Sequence, residues 1–311
     1  MTLRNVLFSS VATNFNGSTF TVRGAHLTVR NAAWLNHNSY GSVTLTNSLL
    51  VAVANPGTYY GTGNAAHATT NGVFQTVGAG ESYLAAGSTN RNAGTTTLEP
   101  ALAAELKVRT TYPPLVNTNA YTTNLVLAPQ ALRDTDVPDR GYHYDPIDHA
   151  VWWLRMLGQS VLTITNGTVI ASFGGTATND PTPATIWLGD QASLCAEGTP
   201  AAPVVLARYA AVQERSDPWG GAPVPGWGHV YIYPSTAGSV GLRFCEYHHL
   251  RSPGTVWLTY MVNGWFKCQN FLVRDSVLHG ANCWLGFGTT NRLPNVSVVN
   301  NVFTDGLVEF V

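Results

Sequence analysis

Charged side chains are scarce in this chain of 311 residues. Asp, Glu, Lys and Arg make up 11% of it, against roughly 25% in an average soluble domain. The 16 basic and 17 acidic residues nearly cancel, which gives a formal net charge of −1. Because the chain has no excess of positive charge to attract phosphates, nucleic-acid binding through charge is excluded. Helical bundles and coiled coils are disfavoured, because both need charged residues on their solvent faces.

Cysteines are also few, and long apolar runs are absent. No stretch of 18 apolar residues occurs, so no membrane span is expected. The cysteines lie in the second half and form no Cys-x-x-Cys pair, which argues against a zinc knuckle. We expect buried free thiols, with one disulfide as the alternative. The four residues are Cys195, Cys245, Cys268 and Cys283.

The ends of the chain have the character of strands. The segment from Met1 to Ser10 alternates apolar and polar residues and does not have the pattern of a signal peptide. The last residues, Leu307 to Val311, also read as a strand. Complete solenoids normally carry polar caps. We therefore expect a fragment of a longer polypeptide, with the export signal and flanking domains outside it.

A six-residue phrase recurs along the chain. It consists of an apolar residue, any residue, Asn or Asp, any residue, and two mostly apolar residues. Short strands repeated in this way predict a parallel β-helix, in which Asn occupies a corner with left-handed backbone. A Greek-key sandwich is the alternative, although it does not require one phrase to recur in one register. The third positions of the six copies are Asn5, Asn31, Asn47, Asn166, Asp275 and Asn300.

The pattern divides the chain into three parts. We predict a first β-helical segment over 1–98, a connecting region over 99–150 and a second β-helical segment over 151–311. A short helix is predicted from Glu99 to Val108, since Pro100 suits its first turn and Ala and Leu follow. Irregular insertions are predicted over 110–150 and 216–228, where Pro and Gly interrupt the strands.

Two further phrases carry a resemblance to a known family. They are Tyr83-Leu84-Ala85-Ala86-Gly87-Ser88 with Gly94-Thr95, and Asp139-Arg140-Gly141-Tyr142-His143-Tyr144-Asp145. With the repeats, they make the chain resemble the bacterial right-handed parallel β-helix proteins of the pectate-lyase-like superfamily. The resemblance implies the fold but no single activity, since members include polysaccharide lyases, glycosidases, epimerases and non-catalytic surface proteins. The right hand also follows the general rule for parallel crossovers.

The catalytic patterns of that superfamily are incomplete in this chain. Its pectate lyases hold calcium with several acidic residues on one sheet, whereas Asp275 alone is acidic among the repeated Asn positions. One carboxylate cannot supply the six to eight oxygens that calcium requires. The Asn-Thr-Asp, Asp-Asp and Gly-His-Gly motifs of polygalacturonases are missing. We therefore predict no metal site and no cofactor, and Ca²⁺ stays an open alternative.

Two polar groups are candidate sites. The first is a loop cluster that could hold a cation or an acid–base pair, or only stabilise turns. The second is Glu246-Tyr247-His248-His249 with Arg251, where alternation lets only one His join Glu246. His143, Asp145, Glu246 and His248 are the candidate catalytic residues. The loop cluster comprises Asp134, Asp136, Asp139, His143, Asp145, Asp148 and His149.

Tryptophans of the second half supply the candidate ligand surface, because indole rings contact the C–H faces of sugars. We predict that Trp219 and Trp227 form an aromatic surface, and that Asp139, His143, Asp145 and Asp148 line a wall beside it. The scarcity of ionisable residues favours a non-catalytic, secreted or cell-surface module that binds carbohydrate. The alternative is a polysaccharide lyase or glycoside hydrolase. In either case we expect a monomer whose partner is a polysaccharide.

Overall fold

The structure is a computed structural model, and it describes residues 1–17, 19–37, 41–78, 80–172, 186–189, 191–208, 227–232, 238–248, 256–261, 270–279, 282–285, 295–304 and 307–310. Strands dominate this part of the chain, which confirms the all-β class. Two compact units are present. The first unit comprises 1–113 and 131–146, and the second comprises 114–130 and 147–311.

The first unit is built on one parallel sheet around a long central strand, β3. Strands β1 and β2 pair with β3, which pairs in turn with β4 and β5; these continue to β6 and β7. Strands β8 and β9 form an antiparallel pair. The bounds are β1 Thr2–Ser9, β2 Thr13–Phe15, β3 Thr21–Asn36, β4 Ser42–Thr46, β5 Leu49–Asn55, β6 Tyr60–Thr62, β7 Ala65–His67, β8 Phe74–Val77, β9 Gly80–Leu84 and α1 Pro100–Leu106.

The parallel strands of the first unit bend at a corner that repeats in register. Each bend uses a residue with a positive φ: 49° at Asn5, 53° at His26, 51° at Asn47 and 70° at Gly63. The flanking pairs Arg4↔Ala25 and Val6↔Leu27 set Asn5 level with His26, and the next strands continue the row. Asn and Gly tolerate this left-handed backbone better than other residues. We call these four residues the corner row.

The second unit consists of three parallel sheets in which each strand pairs with the strand three places further along the chain. The first sheet has the order β10-β13-β16-β19-β22-β25-β28, the second β11-β14-β17-β20-β23-β26-β29, and the third β12-β15-β18-β21-β24-β27. The bounds are β10 Leu115–Asn117, β11 Ala120–Tyr121, β12 Leu125–Leu127, β13 His149–Val151, β14 Leu154–Met156, β15 Val161–Ile164, β16 Val169–Ser172, β17 Ile186–Leu188, β18 Ser193–Glu197, β19 Val204–Arg208, β20 Trp227–Ile232, β21 Ser239–Arg243, β22 Cys245–His248, β23 Val256–Met261, β24 Asn270–Arg274, β25 Val277–His279, β26 Asn282–Leu285, β27 Asn295–Val299, β28 Val302–Thr304 and β29 Leu307–Phe310.

Apolar side chains in register form the core of the second unit. In the third sheet, one row runs through Leu127, Ile164, Ala196, Leu242 and Val273, and all five are buried. Residues two apart on a strand face the same side, so in-register rows of this kind form the core. The parallel pairing of these sheets argues against a Greek-key sandwich, which is antiparallel.

The repeated phrase predicts left-handed corners at six positions, and five are confirmed. Asn5, Asn31, Asn47, Asp275 and Asn300 have φ values between 49° and 55°. The prediction is wrong for Asn166, because the following Gly167 takes the positive φ of 73° instead. Glycine adopts this backbone without a steric penalty from a Cβ atom, so the corner falls at Gly167 and not at Asn166.

Other local predictions agree with the structure in part. The predicted helix is confirmed as α1, and no helix in the described part of the chain is long and apolar enough to cross a membrane. The insertion predicted over 110–150 contains strands β10, β11 and β12, which the sequence analysis missed. Residues 99–150 contribute to both units, while the predicted boundaries after 98 and 150 stay predictions.

The cysteines that the structure describes with side chains are free thiols. Cys245 is buried, and burial raises its pKa to about 12. Cys195 is also free but exposed, so the prediction of burial is wrong for it. Partial burial, with Glu197 nearby, still raises the pKa of Cys195. Cys283 is described only as backbone of β26, and Cys268 lies outside the described residues.

Candidate functional site

The predicted loop cluster is divided between the two units. Residues 131–146 belong to the first unit, and they carry His143 with four of the carboxylates. Asp148 and His149 belong to the second unit.

His143 and Asp134 form a buried ion pair in the first unit. Nε2 of His143 lies 2.6 Å from Oδ2 of Asp134, and the two side chains are 0% and 2% exposed. Nδ1 of His143 lies 3.0 Å from the carbonyl oxygen of Gly141. A carbonyl and a carboxylate only accept hydrogen bonds, so both ring nitrogens donate and the ring is an imidazolium.

The carboxylate of Asp134 is held in its ionised form. Burial opposes ionisation, but hydrogen bonds from His143 and from the backbone N–H of Asp139 outweigh it and keep the pKa of Asp134 below its ordinary value. A buried pair with these extra hydrogen bonds fixes the loop in one conformation. It leaves His143 no proton-accepting nitrogen for a substrate.

His26, a member of the corner row, lies beside this pair in the neutral form. Its ring centroid is 5.2 Å from that of His143. The amide of Asn47 is oriented by the N–H of Thr95, which donates to Oδ1, so Nδ2 of Asn47 donates to Nε2 of His26 over 3.1 Å. Burial and the charge of His143 lower the pKa of His26 to about 3.

Asp139 is a second buried carboxylate of the same loop. Its oxygens accept hydrogen bonds from the N–H of Asn92 at 2.6 Å and from the hydroxyl of Thr111. Arg91 completes the group, with Nη1 3.2 Å from Oδ2. Burial, with Asp134 nearby, raises the pKa of Asp139 despite these partners. The contacts connect three separate segments of the first unit.

Asp145 is the exposed member among the four residues predicted to line a wall. Its side chain is 76% exposed and pairs with Arg109 at 2.9 Å. Asp139, His143 and Asp148 are at most 2% exposed. Only Asp145 of the four can therefore be reached by a large ligand.

Asp148 and His149 make structural contacts within the second unit. The carboxylate of Asp148 accepts the backbone N–H of Gln130 and that of Val169, both at 2.8 Å. Nε2 of His149 lies 3.0 Å from the carbonyl oxygen of Ala128. Burial lowers the pKa of His149. These bonds join β13 and β16 to the segment that follows β12.

The second predicted group forms a partly exposed polar row on the first sheet of the second unit. Oε2 of Glu246 lies 3.3 Å from Nε2 of His248, and these side chains are 42% and 36% exposed. The ring of His248 stacks on that of His279 at 5.3 Å and 16°. His279 in turn contacts the hydroxyl of Thr304 in the next strand. We call Glu246, His248, His279 and Thr304 the polar row.

The polar row contains residues that the sequence analysis missed. The sequence predicts that one histidine contacts Glu246, and in the structure that histidine is His248. His279 and Thr304 escaped notice because the register His248↔His279↔Thr304 joins strands far apart in the sequence. Among the described side chains, no group of three or more His, Cys, Asp or Glu residues is arranged to hold a metal ion.

Trp219, His249 and Arg251 lie outside the described residues, and Trp227 is described only as the first backbone position of β20. The predicted aromatic surface therefore stays a prediction.

Compared with protein-family models, with curated proteins and with solved structures, the chain matches none of them.

Proposed function

We propose that the chain is a non-catalytic, secreted or cell-surface module with a right-handed parallel β-helix that binds carbohydrate. The pairing of each strand with the strand three places on supports three strands per coil in the second unit. The crossover rule supports the right hand. The resemblance to pectate-lyase-like proteins, taken from the sequence, agrees with both. The proposal includes a polysaccharide as partner and no cofactor.

The burial of the predicted acid–base residues carries the non-catalytic part of the proposal. Catalysis needs ionisable groups that converge on a substrate. His143 and Asp134 are occupied with each other, and Asp139 and Asp148 with backbone and side-chain donors. Their contacts stabilise loops. The exposed Asp145 and the partly exposed polar row suit hydroxyl groups of a sugar, to which they can donate or accept hydrogen bonds.

A polysaccharide panel tests the proposal. We expect the intact protein to bind at least one acidic or neutral polysaccharide, with no release of reducing ends or unsaturated products over many hours. Asp145→Ala and His248→Ala are chosen because the side chain of Asp145 is exposed and that of His248 is partly exposed. A weaker affinity in either variant would map the binding surface. An absence of binding to the whole panel would refute the carbohydrate part.

A carbohydrate-active enzyme is the second candidate, favoured by the exposed contact between Glu246 and His248. A lyase or hydrolase would use this pair as acid and base. If so, Glu246→Gln lowers the turnover of the cleaved polysaccharide by about 100-fold or more, because a positioned acid or base contributes that much. Glu99→Gln, the same change at an exposed carboxylate of the first unit, serves as the control and leaves the turnover unchanged. Turnover that survives Glu246→Gln would remove this pair as the catalytic set.

A further inference from the structure

Two tryptophans and an arginine come together on the second sheet of the second unit. Trp153 lies between β13 and β14, Arg155 is the middle residue of β14, and Trp187 is the middle residue of β17. Arg155 and Trp187 are direct partners in register. Their strand neighbours, such as Leu154 and Ile186, are buried in the core. By alternation, Arg155 and Trp187 therefore face the outside of the sheet.

The two indole rings are held close together. Their centroids are 4.8 Å apart, with an angle of 40° between the planes. Trp153 reaches this position with a φ of 53°, a left-handed conformation that costs a bulky residue roughly 1–2 kcal/mol. Strain of this kind persists where the surroundings enforce it, and it is common at binding sites. Both rings are only partly buried.

Arg155 brings a positive charge to this place. Its Cζ lies 5.8 Å from the centre of the Trp153 ring. No carboxylate in the described part of the chain pairs with it, and its Nε is buried without a hydrogen-bond partner there. A buried donor left without an acceptor is costly, by about 1–3 kcal/mol. A ligand carrying an acceptor would relieve that cost.

We propose that Trp153, Arg155 and Trp187 bind a sugar residue that carries a carboxylate, as part of an acidic polysaccharide. The indole rings contact the apolar C–H face of the pyranose ring. The planar guanidinium of Arg155 binds the carboxylate through two parallel N–H···O bonds. This inference rests on the proposed carbohydrate binding, and it adds a contact surface on the second sheet of the second unit and the chemical class of the sugar bound there.

The backbone register extends the same row along the sheet. The position of Trp187 is occupied by Tyr231 in β20 and by Tyr260 in β23. Successive strands of a sheet lie about 4.8 Å apart. The backbone pairs therefore continue this register row over three successive strands of the sheet.

The test uses the full chain and a matched pair of ligands: a hexamer of β-1,4-linked glucuronate and cellohexaose, its neutral counterpart. Binding is followed by titration calorimetry. We expect Arg155→Met to weaken binding of the acidic hexamer by about tenfold or more, and to leave the affinity for cellohexaose within about twofold of wild type. The control Arg23→Met removes an exposed arginine of the first unit and should bind both hexamers as the wild type does.

The tryptophan is tested in the same titrations. Trp187→Leu should weaken binding of both hexamers, by about tenfold. Trp187→Phe keeps an aromatic face and should recover most of that loss. Circular dichroism of each variant verifies that the fold is retained, and the Phe variant keeps the test valid if the Leu variant does not fold.

The possible failures are distinguishable. If the wild type binds no hexamer and no polysaccharide of the panel, the proposed function fails and the site fails with it. If the wild type binds a carbohydrate and Arg155→Met binds it equally well, the site is overturned and the proposed function stands. Equal losses for the acidic and neutral hexamers in Arg155→Met would also overturn the assignment of the carboxylate to Arg155.

Discussion

Asp134→Ala is expected to lower the free energy of unfolding by about 3–5 kcal/mol, the usual cost of removing one partner of a buried ion pair. The imidazolium of His143 is fully buried and would lose its counterion. The backbone N–H of Asp139 would lose its acceptor as well. Urea unfolding at pH 7, followed by circular dichroism, measures the change.

Two further variants make this prediction specific. Asp136→Ala removes an exposed carboxylate of the same loop, which accepts a hydrogen bond from Nδ2 of Asn92 at 2.9 Å, and it should cost less than about 1 kcal/mol. Asp134→Ala combined with His143→Leu removes both charges and should be more stable than Asp134→Ala alone, since no unpaired charge is left. Equal costs for Asp134→Ala and Asp136→Ala would contradict the ion pair.

The stability of the first unit is expected to fall steeply in mild acid because of His26. Folded His26 has a pKa of about 3, and an unfolded histidine has one of about 6.5. Between these values the unfolded chain binds a proton that the folded chain does not. The contribution of neutral His26 to the free energy of unfolding is therefore complete above pH 6.5. It is lost as the pH falls towards 3, at about 1.4 kcal/mol per pH unit and roughly 4–5 kcal/mol in all. The lowered pKa of Asp134 adds a loss in the same direction at lower pH.

His26→Asn isolates this effect. Asparagine fits the left-handed corner, as Asn5 and Asn47 of the corner row do, but it does not titrate. The free energy of unfolding, measured by urea at several pH values, should therefore depend less on pH between 6.5 and 4 by about one proton. His37→Asn, at an exposed histidine, is the control and should retain the wild-type slope. Parallel profiles for wild type and His26→Asn would refute a neutral, buried His26.

The corners and the helix could be predicted from the sequence because their causes are local. Left-handed backbone favours Asn, Asp or Gly at one position, whatever lies far away, although His26 adopts it as well. For the same reason Asp275, the acidic variant of the phrase, adopts the corner conformation with a φ of 55°. The helix needs only Pro100 at its start and a run of good helix formers.

The partners of His143 could not be predicted, since they depend on contacts between distant segments. The side-chain amide of Asn5 exchanges two hydrogen bonds with the backbone of His143, 138 residues away. His26 likewise interacts with residues that are distant in the sequence: it contacts Asn47, 21 residues away, and it lies in the electrostatic field of Asp134. A cluster of Asp and His residues in a loop has the same sequence pattern whether its side chains are exposed to water or buried. Burial decides between the two, and burial is set by the tertiary fold.

The short strands of the second unit escaped prediction for a related reason. Strands β10, β11 and β12 have three, two and three residues. These lengths are too short for an alternation of apolar and polar residues to distinguish a strand from a loop. They are strands because β13, β14 and β15 offer them backbone partners. Their existence is a property of the assembled sheet.

The order in which the chain contributes to its two units has a consequence for synthesis on the ribosome. Residues 114–130 belong to the second unit, yet 131–146 return to the first. The first unit therefore lacks Asp134, Asp139 and His143 until residue 146 has emerged, although its sheet is made much earlier. A fragment ending at residue 113 would carry His26 and Arg91 without the loop that surrounds them. The nascent first unit is thus completed by a late segment, after the earliest strands of the second unit have already been synthesised.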